Sequence, residues 1–199
     1  MYKIKNFEQN NFRGGTMKKI LISFFVLSLM FLTGCDTMNT PTKRAEEYLS
    51  RYNSLDEEVT SDIDLMVETE NLNDDNSEIY RNTIERQLKD LKYEIVSEEI
   101  NGDTATVTAK VTVYDLMKSK EESNAYYSEN PTEFYTNDRL DNDKYSKYEL
   151  ENMLEFEDTI DYTIEIDLTR VDDVWTVNEV DNDVKEKIYG LYDYKNDGR

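Results

Sequence analysis

Two residue types limit the chemistry that this chain can perform. Its 199 residues include one cysteine, Cys35, and no histidine. A single cysteine cannot form an internal disulfide. Without histidine, the chain lacks the Ser-His-Asp and Cys-His arrangements, an imidazole general base and zinc sites of the usual kind. The thiol of Cys35 is therefore the most distinctive reactive group in the chain.

The segment in front of Cys35 has the organisation of a secretory signal. Lys18 and Lys19 give it a positive start, and a nearly unbroken apolar run follows from Ile20 to Leu32. This run of 13 residues is short for a membrane-spanning helix, which needs about 20. It fits the roughly 7–15 residues of a signal-peptide core. We therefore predict a signal peptide over residues 17–34.

The four residues that close this run, Leu32-Thr33-Gly34-Cys35, resemble the lipobox of bacterial lipoproteins. That motif has a leucine, a small residue, glycine or alanine, and an obligatory cysteine. The resemblance implies that a diacylglyceryl group is attached to the Cys35 thiol and that lipoprotein signal peptidase cleaves before Cys35. An ordinary signal peptide with an incidental cysteine, or a membrane anchor, is the alternative.

Lipidation at Cys35 would determine where the protein is located. Two acyl chains anchor a protein stably, whereas one holds it only marginally. The next residue, Asp36, resembles the inner-membrane retention signal of two-membrane bacteria, and a single-membrane bacterium offers no other destination. We expect the protein on the outer face of the bacterial plasma membrane, with the membrane as a partner through Cys35. The modified thiol is then unavailable as a nucleophile.

Residues 1–16 precede the signal and show no periodicity. The triplet Arg13-Gly14-Gly15 is what a purine-rich ribosome-binding site gives when it is translated, so we hypothesise that translation starts at Met17. The predicted organisation is a mis-assigned start at 1–16, a signal peptide at 17–34, a tether at 35–40, a single domain at 41–192 and a frayed tail at 193–199.

The predicted mature chain is strongly acidic. Residues 1–34 hold five of the 23 basic residues and one of the 44 acids, which leaves 18 bases, 43 acids and a net charge of −25 on residues 35–199. Phosphate binding needs basic surface, so nucleic acid is excluded as a partner. The charge also opposes a domain lying flat on anionic lipid. We expect a short tether to hold the domain off the bilayer.

Hydrophobic periodicity predicts helices first and strands afterwards. Thr40 with Pro41 is typical of a helix start, and Ser54 to Glu57 has the pattern of a capping box for a second helix. The pattern changes to a period of two after the third helix. The remaining predictions are a loop at 71–76, helices at 77–91 and 181–192, strands at 93–100, 104–114, 159–170 and 174–180, and a hairpin turn at Asn101-Gly102.

Residues 115–157 interrupt the predicted sheet. A stretch of 43 residues is too long for a structureless loop in a compact domain, so we predict helices at 115–128 and 143–156 with a turn near Pro131. Tyrosine offers a flat apolar face with a polar tip, which makes the insert's rings candidates for ligand contact. These candidates are Tyr126, Tyr127, Phe134, Tyr135, Tyr145 and Tyr148. The alternative is that the rings cover the sheet as ordinary core.

The order of these elements, which ends in a hairpin with Leu168, Trp175 and Val177, resembles the NTF2-like (cystatin-like) domains of small Gram-positive lipoproteins. The resemblance covers residues 40–192. It implies an α+β fold with N-terminal helices on a curved antiparallel sheet of four or so strands, a conical pocket and a helical insert between the two hairpins. The family's usual glycine in the last turn is Asp173 in this chain.

Three functions compete for this domain. It can be a binding or interaction module of the cell envelope, whose partner is an envelope protein, a peptide or a glycan. It can be an NTF2-like isomerase or dehydratase with an Asp or Glu and a Tyr in the cone. It can bind calcium, but its acidic stretches lack the central glycine and the twelfth-position glutamate of an EF-hand loop. The strand acids that alternate with apolar residues, and should therefore face outward, are Asp161, Glu165 and Asp167.

From these patterns we predict a lipid-anchored binding module that is not an enzyme and that uses no cofactor and no metal ion. The alternative is the NTF2-like enzyme.

Overall fold

A computed structural model describes residues 39–195. Three helices come first, α1 (Pro41–Ser54), α2 (Glu57–Thr69) and α3 (Asp74–Lys89), and strands β1 (Lys92–Asn101) and β2 (Thr104–Tyr114) follow. The insert contains α4 (Leu116–Glu129), a 3₁₀ turn (Pro131–Phe134), the short strands β3 (Tyr135–Thr136) and β4 (Arg139–Leu140), and α5 (Asn142–Glu155). The last elements are β5 (Thr159–Val171), β6 (Val174–Val177) and α6 (Asn182–Tyr189).

The four long strands form one antiparallel sheet in the order β1-β2-β5-β6. Helices α1 and α6 contact this sheet directly, and α3 contacts α1, α2, α5 and α6. The predicted α+β class is confirmed, with helices packed on a four-stranded antiparallel sheet and a helical insert between the two hairpins.

The alternation of side chains in β2 and β5 creates the core. Eleven residues of β2 pair with β5, from Thr104 opposite Thr169 to Tyr114 opposite Thr159. Because successive side chains in a strand point to opposite faces, one face of this pair is apolar throughout. The buried residues of that face are Ala105, Val107, Ala109, Val111, Val113, Tyr162, Ile164, Ile166 and Leu168. Buried side chains of the helices complete the core against them.

The opposite face of the sheet is polar. The hydroxyl of Thr106 donates to the Asp167 carboxylate at 2.6 Å, and Lys110 forms an ion pair with Asp161 at 2.8 Å. Asp161, Glu165 and Asp167 are exposed, so the predicted outward direction of these three acids is confirmed.

Helix caps decide where two of the helices begin. The Thr40 hydroxyl accepts a hydrogen bond from the Lys43 backbone N–H at 3.1 Å, with Pro41 as the first helical residue, as predicted. The predicted capping role of Ser54 is wrong. Leu55 takes a left-handed conformation at φ 49° that ends α1, and the Asp56 carboxylate caps α2 by accepting from the Val59 N–H.

Three predicted boundaries also change for local reasons. Asn73 caps α3, so the helix starts at Asp74 and takes half of the predicted 71–76 loop. Strand β6 ends at Val177, after which Asp181 caps α6. Helix α6 stops at Tyr189 and not at residue 192, because Gly190 adopts a left-handed φ of 70°.

The two hairpin turns use different residues to reach positive φ. Gly102 has φ 64° in the first turn, where glycine has no side chain to clash. Asp172 and Asp173 have φ 51° and 63° in the second. Aspartate tolerates this conformation because its short polar side chain bonds locally, so the second turn forms without a glycine.

A buried polar junction connects α3, β2 and the end of α6. The amide oxygen of Gln87 accepts from the Tyr114 N–H at 3.0 Å, and its amide nitrogen donates to the Ile188 carbonyl at 3.4 Å. A Cβ at Gly190 would lie 2.5 Å from the Tyr114 carbonyl oxygen and 2.8 Å from the Gln87 amide nitrogen. Only glycine therefore fits at this crossing.

We predict that Gly190→Ala destabilises the fold much more than Gly102→Ala. Both glycines have positive φ, which costs alanine about 1–2 kcal/mol, but only Gly190 faces backbone atoms, which adds about 1–3 kcal/mol of overpacking. Chemical denaturation of both variants measures the difference. Equal losses of unfolding free energy would contradict the steric argument, since a Cβ at Gly102 meets nothing within 4 Å.

Candidate functional site

The lipobox lies outside the described residues. The structure therefore does not test Leu32, Thr33, Gly34 or the lipidation of Cys35, and these stay predictions. Among residues 39–195, no helix has the length and apolar character that crossing a bilayer requires.

The insert is a small helical hairpin fastened to α3. Its base closes through a backbone hydrogen bond from Asp115 to Asp158 at 2.9 Å. The guanidinium of Arg86, on α3, donates to the carbonyls of Leu154 and Phe156 at 2.8 and 2.9 Å. The side chain of Asn76, at the other end of α3, donates to the Asp143 carbonyl at 3.0 Å. Two ends of one helix thus hold α5 in place.

Five of the six predicted aromatic residues form one cluster. Phe134 is 3% exposed and lies at its centre. The Phe134 ring lies 5.2 to 6.3 Å, centroid to centroid, from four tyrosine rings. We call these residues the aromatic cluster: Tyr126, Tyr127, Phe134, Tyr145 and Tyr148. The sixth candidate, Tyr135, is 42% exposed on β3 and lies outside the cluster.

Two hydroxyl groups of the cluster have polar partners at its rim. Tyr126 donates to the Glu133 carboxylate at 3.0 Å, and Tyr145 lies within hydrogen-bond distance of Asn124 at 2.8 Å and of Glu149 at 3.1 Å. The hydrogen bond to Glu133 raises the pKa of Tyr126, and burial raises the pKa of Tyr145. Both rings therefore carry neutral hydroxyls at physiological pH.

Two open grooves flank the ring of Tyr148. One has a volume of about 580 Å³ and runs past Phe134, Lys144 and Lys147. The other has a volume of about 470 Å³ and runs past Tyr126, Asn152 and Phe156. The aromatic cluster is thus both the insert's own core, through Phe134, and a wall of two surface grooves, through Tyr126 and Tyr148.

A second site, which the sequence did not indicate, lies between α1, α2, β6 and α6. This cleft has a volume of about 270 Å³ and is lined in part by Tyr48, Tyr52, Val59 and Val177. The hydroxyls of Tyr48 and Tyr52 lie 2.8 Å apart. We call this site the tyrosine cleft.

Five charged side chains near the mouth of the tyrosine cleft form ion pairs with one another. Arg51 binds the carboxylates of Asp56 and Glu58. Asp62 and Lys185 lie 3.8 Å apart, with side chains 42% and 41% exposed. None of these five residues therefore presents an unpaired charge to a ligand.

Burial is the main influence on the pKa of the tyrosines in and behind this cleft. It raises the pKa of Tyr48, Tyr52 and Tyr189, and the Tyr52 and Tyr189 rings meet edge to face at 6.0 Å. Tyr80, on α3, has its pKa raised to about 12, chiefly by burial and further by the carboxylate of Glu70. These hydroxyls stay protonated at neutral pH and can act only as neutral hydrogen-bonding groups.

Asn73 and Asp141, which lie in two acidic stretches of the chain, serve as helix caps. The Asn73 side chain accepts from the Asn76 N–H, and the Asp141 carboxylate accepts from the Lys144 N–H. Within the part of the chain that the structure describes, no group of three or more acidic, cysteine or histidine side chains is arranged to hold a metal ion.

No family model and no curated protein sequence matches this chain. A crystal structure of a candidate lipoprotein (ycdA) from Bacillus subtilis subsp. subtilis is similar to it over 87% of this chain, with 16% identity and a TM-score of 0.40. This chain spans 55% of that protein's length.

We predict that Phe134→Ala loosens the insert. Removing a buried phenylalanine costs about 3 kcal/mol, and the four tyrosines lose their common contact. Amide hydrogen exchange of residues 116–155 should accelerate, while the core strands β2 and β5 stay protected. The adjacent Tyr135→Ala should change stability by less than about 0.5 kcal/mol because its side chain is exposed. Similar behaviour of the two variants would contradict the central position of Phe134.

We also predict a loss of stability at alkaline pH that depends on Tyr80. An unfolded tyrosine ionises near pH 10, whereas folded Tyr80 ionises near 12. The contribution of neutral Tyr80 to the free energy of unfolding is therefore fully present below pH 10. It is lost as the pH rises through the folded pKa, and the total loss is about 3 kcal/mol at most. Tyr80→Phe should remove this part of the pH dependence.

Denaturation at pH 9 and pH 11 measures this effect, with Tyr135→Phe as the exposed control. If Tyr80→Phe and the control lose the same free energy of unfolding between these pH values, Tyr80 is not the group responsible.

Proposed function

We propose that this chain is a lipid-anchored protein on the outer face of the bacterial plasma membrane, held by a diacylglyceryl group on Cys35. Its folded part is an NTF2-like domain that binds a partner in the cell envelope. The anchoring rests on the signal Met17–Gly34 and on the motif that ends at Cys35. The NTF2-like assignment rests on the order of the helices and hairpins, which agrees with the α+β fold.

The main support for a binding function is the position of Tyr148. Its ring is a wall of both insert grooves, and it is held against Phe134 at 5.2 Å. A ring fixed by its own core presents a flat surface at little cost in conformational entropy. Sugar rings, peptide bonds and apolar side chains stack on such surfaces, so the proposed partner is a glycan, a peptide or an envelope protein.

Binding explains the sites better than catalysis. A general base needs a carboxylate whose pKa is raised in an apolar pocket. In the tyrosine cleft, Asp62 is the acid of α2 that faces Lys185, and its side chain is 42% exposed. A carboxylate that is paired and exposed is a poor base. We therefore propose a non-enzymatic role without a cofactor.

We predict that Cys35→Ser abolishes lipid anchoring. Labelled fatty acid should enter the wild-type protein and not the variant, and the variant should no longer sediment with membranes. Thr33→Ser keeps a small residue in the lipobox and should be processed as the wild type is. Membrane sedimentation of Cys35→Ser without label would overturn the proposed anchor.

We predict that Tyr148→Ala weakens binding to purified peptidoglycan, which we choose as the glycan and peptide probe. The full-length protein in detergent should co-sediment with peptidoglycan, and Tyr148→Ala should bind several-fold less. Tyr148→Phe retains the ring and should bind as the wild type does. Failure of the wild type to bind, or equal binding of the alanine variant, would contradict the proposed role of Tyr148.

A further inference from the structure

Both hairpin turns lie at the same end of the sheet. Gly102 and Asp103 connect β1 to β2, and Asp172 and Asp173 connect β5 to β6. Arg170 joins the two turns, because its backbone N–H donates to the Asp103 carbonyl at 2.7 Å and its guanidinium contacts the Asp103 carboxylate at 2.7 Å. We call this region the turn end. The insert joins the sheet at the other end, between Tyr114 and Thr159.

The polypeptide enters the fold at the turn end and is fastened there to both edge strands. The Asn39 side chain accepts from the Trp175 N–H of β6 at 3.1 Å and donates to the carbonyl of Asp173. The backbone N–H and hydroxyl of Thr42 both donate to the Glu98 carboxylate of β1 at 2.8 Å. The start of the fold is therefore fixed relative to the sheet.

The distance available between the lipid and this attachment is short. Asn39 follows Cys35 by four residues, which span at most about 14 Å when fully extended. Thr159 and Val171 lie at opposite ends of β5, twelve residues apart, which is about 40 Å along a strand. The turn end can therefore reach the bilayer surface. The other end reaches it only if the strands run parallel to the membrane plane.

The surface of the turn end suits contact with lipid headgroups. Three aliphatic side chains are exposed there: Ile100 at 55%, Val171 at 60% and Val174 at 45%. The Asp103 carboxylate is neutralised by Arg170. The adjacent charges of Asp172 and Asp173 oppose entry into the hydrocarbon core. The aliphatic side chains favour contact at headgroup depth, whereas these two carboxylates keep the contact shallow and weak, so the short tether is needed to hold this end at the surface.

The other surfaces oppose a domain lying on its side. Residues 115–157 hold 12 acids and five bases, and the outer face of the sheet exposes Glu165 and Asp167. An anionic leaflet repels both surfaces. Since the tether attaches only at the turn end, an upright domain minimises this repulsion.

We propose that the turn end rests against the headgroups of the bilayer and that the sheet stands upright, with the insert joined to its membrane-distal end. This orientation depends on the lipid anchor proposed above. In this orientation the exposed aliphatic side chains of the turn end contact the lipid surface.

Two labelled cysteine variants of the full lipidated protein test this orientation. Val171→Cys and Thr159→Cys place a fluorophore on the same exposed face at opposite ends of β5, while Cys35 is blocked by its lipid. The vesicles contain phosphatidylcholine, phosphatidylglycerol and a lipid with a nitroxide on its headgroup. We expect the probe at position 171 to be quenched several-fold more than the probe at position 159.

Each outcome has a distinct meaning. If both variants float with the vesicles but show equal or reversed quenching, the orientation is wrong and the anchor remains. If the lipidated protein does not float with vesicles, the anchor fails and the orientation fails with it. A 20-residue Gly/Ser linker between Thr37 and Met38, which spans about 25 Å, should reduce the difference in quenching. If the difference in quenching between positions 171 and 159 is unchanged, the short tether is not what holds the turn end at the membrane, which contradicts this part of the proposal.

Discussion

The apolar face shared by β2 and β5 is the interaction on which the rest of the structure depends. Eleven cross-strand pairs set the register of these strands, and a shift by one residue would move every buried aliphatic side chain to the solvent. Helices α1 and α6 cover this face. The junction of Gln87, Tyr114 and Gly190 then fixes α3 and the end of α6 against the end of β2. The insert starts directly after Tyr114, so this junction also fixes the position of its first residues.

This arrangement places the start of the fold and the aromatic insert at opposite ends of the sheet. The polypeptide arrives from Cys35 at the turn end, where Asn39 and Thr42 bond to opposite edge strands. The aromatic cluster belongs to an insert that joins the sheet at the other end. If Cys35 is lipidated as we propose, the sheet sets the distance between the membrane and the proposed binding surface, which a flexible linker would not do. In this account the fold acts as a spacer as well as a scaffold for Tyr148.

The sequence was most informative where one local pattern decided the structure. Alternation in β2 predicted its bounds, and Thr40 with Pro41 predicted the start of α1. It was less informative where neighbouring residues competed, as Ser54 and Asp56 did for the cap of α2. Long-range contacts left no local signal. Tyr48 and Tyr52 are four residues apart on one helix, but the contact of the Tyr52 ring with Tyr189 depends on the whole fold. The aromatic composition of the insert indicated candidates for ligand contact or for core, and only the structure showed that five of these rings form a cluster around Phe134 while Tyr135 lies outside it.

The central claim is that the mature protein begins with a lipid-modified Cys35, because the location, the short tether and the orientation all follow from it. Intact mass spectrometry of the protein purified from bacterial membranes tests this claim most directly. The account predicts a chain of residues 35–199 that carries a diacylglyceryl group on its first residue. A mature protein that retains Met1 or Met17, or that begins at another residue with an unmodified Cys35, would contradict it.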